Sequence, residues 1–184
     1  MAAMTTLAHG RPLTRADLDR MPDDGHRYEL VDGVLVVSPS PRYRHQRAVL
    51  ELAVLLRAGC PADLAVVIAP FDVVLAEDTV LIPDLLVGRR SDFDEKCLPA
   101  PPVLAVEVLS PSTRRIDLTL KRSRFEAAGV PSYWVVDPDE PSLLAWRLVD
   151  GAYEQVAKVT GDRPFRTDQP YAVEVVPARL VGNS

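Results

Sequence analysis

The sequence predicts an α/β domain in which α-helices flank a central mixed β-sheet, with a C-terminal β-hairpin extension. Three observations predict it. Residues 103–109, Val-Leu-Ala-Val-Glu-Val-Leu, have Glu107 as their one polar side chain, the pattern of a strand covered on both faces. Residues 80–87, Val-Leu-Ile-Pro-Asp-Leu-Leu-Val, repeat that pattern with Asp84 as the one charge. Around them, segments of helical period alternate with Asp-Gly hairpin signals, so helices must lie over the faces of the sheet.

The elements follow in order. Residues 1–12 have no periodicity and read as a loose leader. Thr14 suits the N-cap of a short helix at 15–21, and Pro22-Asp23-Asp24-Gly25 is a turn. Asp32-Gly33 joins strands 26–31 and 34–37, with Glu29 in the first. After Ser38-Pro39-Ser40-Pro41 a helix spans Tyr43–Ala58, with Leu52 and Leu56 on its inner side and Gly59 as its stop. Strands at 64–68 and 71–75 precede the Asp84 strand, and 89–101 is a polar, Pro-rich surface loop. The Glu107 strand then feeds a helix at 114–128 that ends at Gly129, with Pro131 beyond it. A buried strand at 132–136 follows, and amphipathic strands at 143–148, 153–159 and 171–176 close the chain. This organisation is one domain over 1–184: leader 1–12, core 13–137 and a β-rich tail 138–184.

Composition narrows the function classes. The net charge of −5 argues against a protein that coats nucleic acid through global charge, while leaving room for a local basic surface. Cys60 and Cys97 form no CxxC pair, so reduced thiols are expected rather than a zinc site or a disulfide. No apolar run reaches the ~20 residues of a membrane span, and the expected setting is cytoplasmic.

A carboxylate in a strand buried on both faces must be protonated, paired with a cation or bound to a metal. Asp117 and Lys121 are neighbours on one face of the helix that follows Glu107, so Lys121 could reach back toward Glu107 and Asp84. Two carboxylates on adjacent strands and an ammonium suit metal-assisted phosphodiester hydrolysis. The acids hold Mg²⁺ or Mn²⁺, the metal acidifies a bound water, and lysine stabilises charge developing at phosphorus.

The ordered set Tyr28-Glu29-Leu30-Val31-Asp32-Gly33, Pro83-Asp84, Val106-Glu107-Val108-Leu109-Ser110-Pro111-Ser112-Thr113, Asp117-x-x-x-Lys121 and Gly129-Val130-Pro131-x-Tyr133-Trp134-Val135-Val136-Asp137-Pro138 resembles the Uma family. Its members are restriction-endonuclease-like proteins of the PD-(D/E)XK nuclease superfamily. The resemblance implies a restriction-endonuclease-like core and a metal centre of Glu29, Asp84 and Glu107. The superfamily's usual lysine two residues beyond the acid is missing, since Leu109 stands there, and Lys121 takes its place. Phe125 stands where the family more often has tyrosine.

The expected function is therefore a Mg²⁺-dependent endonuclease on DNA, with Glu29, Asp84, Glu107 and Lys121 as catalytic residues and a homodimer as its working state. The rival is a catalytically inactive nucleic-acid-binding or protein-interaction module on the same fold, with Glu107 and Lys121 as a plain buried ion pair. Other residues take ordinary roles: His45 as a surface histidine near a helix start, Asp117 as a favourable first-turn charge, Ser112 or Thr113 as an N-cap, and Tyr133 and Trp134 as core. Arg42, Arg44, Arg47, Arg114, Arg115, Arg122 and Arg124 could form a basic track for a phosphate backbone or a solvated helix face.

Overall fold

A computed structural model describes residues 10–182. Residues 1–9 of the expected leader lie outside the described residues. Residues 10–12 are tied to the body, because Arg11 pairs with Asp17 at 2.8 Å and Pro12 packs on Gly33.

The chain opens with α1 (Arg15–Leu18), shorter than expected, then the hairpin β1 (Arg27–Val31) and β2 (Val34–Ser38). Asp32 and Gly33 both take positive φ, 51° and 74°, as a two-residue hairpin turn with the strand's own twist requires. Helix α2 (Tyr43–Ala58) leads to β3 (Leu64–Ile68), β4 (Asp72–Ala76), β5 (Thr79–Leu81) and β6 (Leu85–Arg89). A 3₁₀ turn (Arg90–Asp92) and β7 (Cys97–Leu98) occupy the stretch read as a surface loop; Cys97 and Leu98 are buried there. After β8 (Leu104–Val108), α3 (Arg114–Ile116), a π-helical turn (Asp117–Lys121) and α4 (Arg122–Ala127) run on as one helical stretch, 114–127. Strands β9 (Ser132–Asp137), β10 (Ser142–Val149), β11 (Ala152–Thr160), β12 (Phe165–Thr167) and β13 (Val173–Val175) and helix α5 (Pro177–Val181) complete it. Neither β12 nor α5 was expected; both are short, and α5 begins at a proline, which suits a first helical turn.

The strands form two main sheets. Six strands run in the order β11-β10-β9-β8-β6-β3, and five in the order β2-β1-β5-β4-β7. The larger sheet is mixed, with β8 and β9 parallel and its other pairs antiparallel. The run expected as one strand at 80–87 is two strands in different sheets. Pro83 lacks the N–H that a continuous ladder would need, and the chain crosses between sheets at Ile82-Pro83-Asp84.

Side-chain alternation on β8 sets the layers. Leu104, Val106 and Val108 face a core built with Leu52 and Leu56 of α2, Trp134 and the tail residues Phe165, Tyr171 and Val175. Ala105 and Leu109 face the other core, with Val31 and Leu81 of the second sheet, Phe125 of α4 and Tyr133. Glu107 lies between Ala105 and Leu109 in that alternation, so it faces the second sheet and the helical stretch.

Trp134 meets Phe165 edge-on, with ring centroids 5.2 Å apart, and joins the tail to the core. Truncating it to alanine should destabilise the protein by about 3–5 kcal/mol through lost burial and an unfilled cavity. Urea unfolding checks this, and a loss below about 1 kcal/mol would show that the tail does not depend on that ring. Among the described residues, no helix is long and apolar enough to cross a membrane.

Candidate active site

The four candidate residues converge where the two sheets and the helical stretch meet. Glu29 comes from β1, Asp84 from the corner before β6, Glu107 from β8 and Lys121 from the end of the π turn. Lys121 is 1% exposed, and its Nζ stands 2.9 Å from Glu29 Oε1, 3.2 Å from Glu107 Oε1 and 3.4 Å from Asp117 Oδ1. The lysine therefore points inward and reaches Glu107, while its ion pairs are with Glu29, Glu107 and Asp117 and not with Asp84. Asp117, expected as a favourable first-turn charge, is buried against Lys121 instead, because it projects from the same face four residues earlier.

Asp84 has a separate set of partners. Its Oδ2 accepts the Val108 N–H at 2.8 Å and lies 3.2 Å from His45 Nε2, while Arg27 Nη1 donates to Oδ1 at 2.8 Å. Val108 is the last residue of β8, and the Asp84 carboxylate satisfies its N–H where Pro83 has interrupted the neighbouring strand. Glu29 Oε1 likewise accepts the N–H of Ile82 at 2.8 Å. Both carboxylates thus complete backbone ladders at the same corner.

Two residues at this corner were underrated by sequence reasoning. His45 is buried on Asp84 rather than at the surface, because the first turn of α2 docks over the corner. Arg27, on the same strand as Glu29, bonds Asp84 and stands 3.8 Å from Glu29 Oε2. The usable signal was the alternation of β1, which places Arg27 and Glu29 on one face. The expected N-cap also differs: Thr113 makes no side-chain cap, and the hydroxyl of Ser110 accepts the Thr113 N–H at 3.3 Å.

Burial dominates the electrostatics. Burial pushes the Glu107 carboxyl well above its usual range, and Asp117, Asp84 and Glu29 add to the shift against the ammonium of Lys121. Asp117 is raised by burial too, again against Lys121. Burial would lower Lys121, but Glu107, Glu29 and Asp117 together raise it, so it stays charged. Asp84 is the exception: burial would raise it, yet the His45 hydrogen bond and the charges of His45 and Arg27 hold it at about 2.

The acids outnumber the cations they face. Glu29, Asp84, Glu107 and Asp117 stand against Lys121, Arg27 and the ring of His45. Glu29 Oε2, Glu107 Oε2 and Asp117 Oδ1 are buried without a hydrogen-bond partner. Among the described residues Glu107 Oε2 has no ion-pair partner either, and Glu29 Oε2 and Asp117 Oδ1 have only the pairs with Arg27 at 3.8 Å and Lys121 at 3.4 Å. Buried hard oxygens so sparsely partnered fit a divalent cation such as Mg²⁺ or Mn²⁺. Among the described residues, no three His, Cys, Asp or Glu side chains stand as a ready-made ligand cage.

Two cavities flank the Arg27–His45 pair, of about 460 and 640 Å³. The smaller is lined by Arg27, Arg42, Arg44, His45 and the serines of two segments, Ser38 and Ser40 before α2 and Ser110 and Ser112 after β8. The larger also touches Asp84, Tyr28 and Asp72.

Comparison with known proteins identifies the class to which this α/β fold belongs. The structure matches the crystal structure of a putative nuclease belonging to DUF820 from Anabaena variabilis, with a TM-score of 0.75 and 17% identity, over 92% of this chain and 98% of that one. The family model of Uma2, described as "Putative restriction endonuclease", matches residues 15–172. The chain belongs to the Uma2 family. No curated protein matches it.

Proposed function

We propose that this chain is a Mg²⁺- or Mn²⁺-dependent endonuclease that hydrolyses DNA phosphodiester bonds. The observation that carries the reading is Lys121, fully buried and 2.9 and 3.2 Å from Glu29 and Glu107, which come from two different sheets. Glu29, Asp84 and Glu107 would hold the metal, which when bound supplies a Lewis acid and lowers the pKa of water.

The chain's own residues have separable tasks. Lys121 holds the two glutamates together and places a fixed positive charge beside them, where it can stabilise the extra negative charge of a pentavalent phosphorus. Arg27 and His45 fix Asp84 in its ionised form. In the reaction, water oxygen forms the new P–O bond and loses a proton to solvent. The bond to the departing sugar oxygen breaks, and that oxygen takes up a proton, leaving a phosphate monoester and a hydroxyl. A homodimer acting in the cytoplasm belongs to the same reading, since cutting both strands of a duplex calls for two sites.

The test is cleavage of supercoiled plasmid with Mg²⁺, with Mn²⁺ and with EDTA. Nicked or linear product should form with either metal and disappear in EDTA. An intact plasmid under all three conditions would favour the inactive binding module. Calorimetric titration with Mn²⁺ then separates the two readings at the metal itself: the nuclease takes up the ion, and Glu29→Gln reduces that uptake.

A further inference from the structure

We propose that the cavity over the first turn of α2 binds a backbone phosphate of the substrate strand, with the α2 amides, Ser38, Arg42 and Arg44 as its anion-holding groups. The inference rests on the nuclease reading and adds to it a place where the strand is gripped outside the acid cluster.

Helix α2 has 16 residues, and its N-terminus opens into this cavity, which Arg42, Arg44 and His45 line. The first N–H groups of a helix have no intrahelical acceptor. Here nothing on the helix itself compensates, for Arg42 at the N-cap makes no side-chain cap and the first turn contains no acid. The positive end of a long helix dipole therefore faces the cavity, joined by two guanidinium groups.

A second observation also points to a ligand. Ser38, 3% exposed, lines the same cavity, and its hydroxyl is buried with no hydrogen-bond partner. His45 Nδ1 is orphaned likewise, on a ring whose Nε2 already faces Asp84. Buried polar groups are normally satisfied, and an orphaned hydroxyl beside open helix amides is accounted for by an oxyanion that accepts from both. Ser38 is held there by its register opposite Arg27 on the β1–β2 ladder. The cavity thus shares Arg27 and His45 with the Asp84 corner, which puts the gripped phosphate next to the acid cluster.

One charge opposes an anion. Asp139 lines the cavity 3.9 Å from Arg44, with both side chains about half exposed (58% and 47%). An exposed pair at that distance is weak, so a phosphate can displace it. Asp139 also provides a control, since removing it should help the ligand.

Fluorescence anisotropy of a short fluorescein-labelled DNA duplex, titrated in EDTA over a range of salt, tests the site without cleavage. The double variant Arg42→Ala/Arg44→Ala should bind roughly tenfold or more weakly and lower the salt slope by about 1–2, since each arginine on a phosphate releases counterions. Ser38→Ala should weaken binding several-fold with the slope unchanged, and Asp139→Asn should tighten it. Wild-type affinity and slope in the double arginine variant would overturn the proposal, and so would a wild-type protein that does not bind the duplex. Cleavage of plasmid with unchanged binding in the arginine variant removes the phosphate site and leaves the nuclease. The converse, arginine-dependent binding without cleavage, removes the nuclease and leaves the site.

Discussion

Replacing Lys121 with methionine is expected to destabilise the fold by about 3–5 kcal/mol, the cost of leaving buried charges without their partner. Methionine keeps most of the packing, so the loss is chiefly electrostatic. Glu29, Glu107 and Asp117 all contact the ammonium within 3.4 Å, and Arg27 alone would remain to balance them. The loss should depend on pH, with a definite sign. Glu107 and Asp117 already have raised values in the folded state, so the native protein binds more protons than the unfolded chain there. Stability from such groups is present below the ordinary carboxylate range and falls as pH rises through their folded values. Without Lys121 those values rise further, and the variant should lose more stability than the wild type between about pH 5 and pH 8. Urea titrations at several pH values check this. Equal midpoints for variant and wild type throughout would show that Lys121 does not neutralise the cluster. Loss of cleavage in a Lys121 variant is thus evidence about catalysis only after its folding has been measured.

Glu107→Gln is expected to do the reverse. It removes a proposed metal ligand and should lower cleavage by roughly 10²–10³-fold or more, the scale of losing one preorganised electrostatic group. It should cost the fold little, within about 1 kcal/mol, or stabilise it, because burial disfavours the ionised form of Glu107 and the neutral glutamine amide avoids that desolvation cost. Glu107 Oε2 has no hydrogen-bond partner to lose, and Lys121 keeps Glu29 and Asp117. Its stability should also fall less steeply with rising pH, since a carboxyl that burial raises well above its usual range no longer titrates. Thermal melts beside the plasmid assay check both halves. Near wild-type cleavage by a well-folded variant would remove Glu107 from the mechanism. A strongly destabilised variant would show that the Glu107–Lys121 pair is structural. Together the two substitutions separate a functional acid, tolerated at a cost to stability, from the cation that makes it tolerable.

Much of this centre was legible before the fold was known. Glu107 and Asp84 stood out because each is a lone charge in a run otherwise apolar, and burial on both faces of a strand is written in local composition. The Asp32-Gly33 turn, the span Tyr43–Ala58 and the stop at Gly129 are local matters too, decided within a few residues by backbone preference. Less legible was the break at Pro83. The apolar run continues through it, and only the second sheet shows that the two halves pair with different strands.

The sequence by itself determined where the longer strands and helices lie and which apolar runs carry a carboxylate, since these follow from side-chain period and turn chemistry along the chain. Only the tertiary structure decided which cation meets which acid. On the helical stretch after Glu107 the fully buried positions are Asp117, Lys121 and Phe125, two of them charged, which local composition does not announce. His45 and Arg27 reach Asp84 from 39 and 57 residues away. Ion pairing at such separations depends on how sheets and helices are turned against each other. Local composition does not encode that, because the desolvation that makes an acid require a partner exists only once the layers have closed.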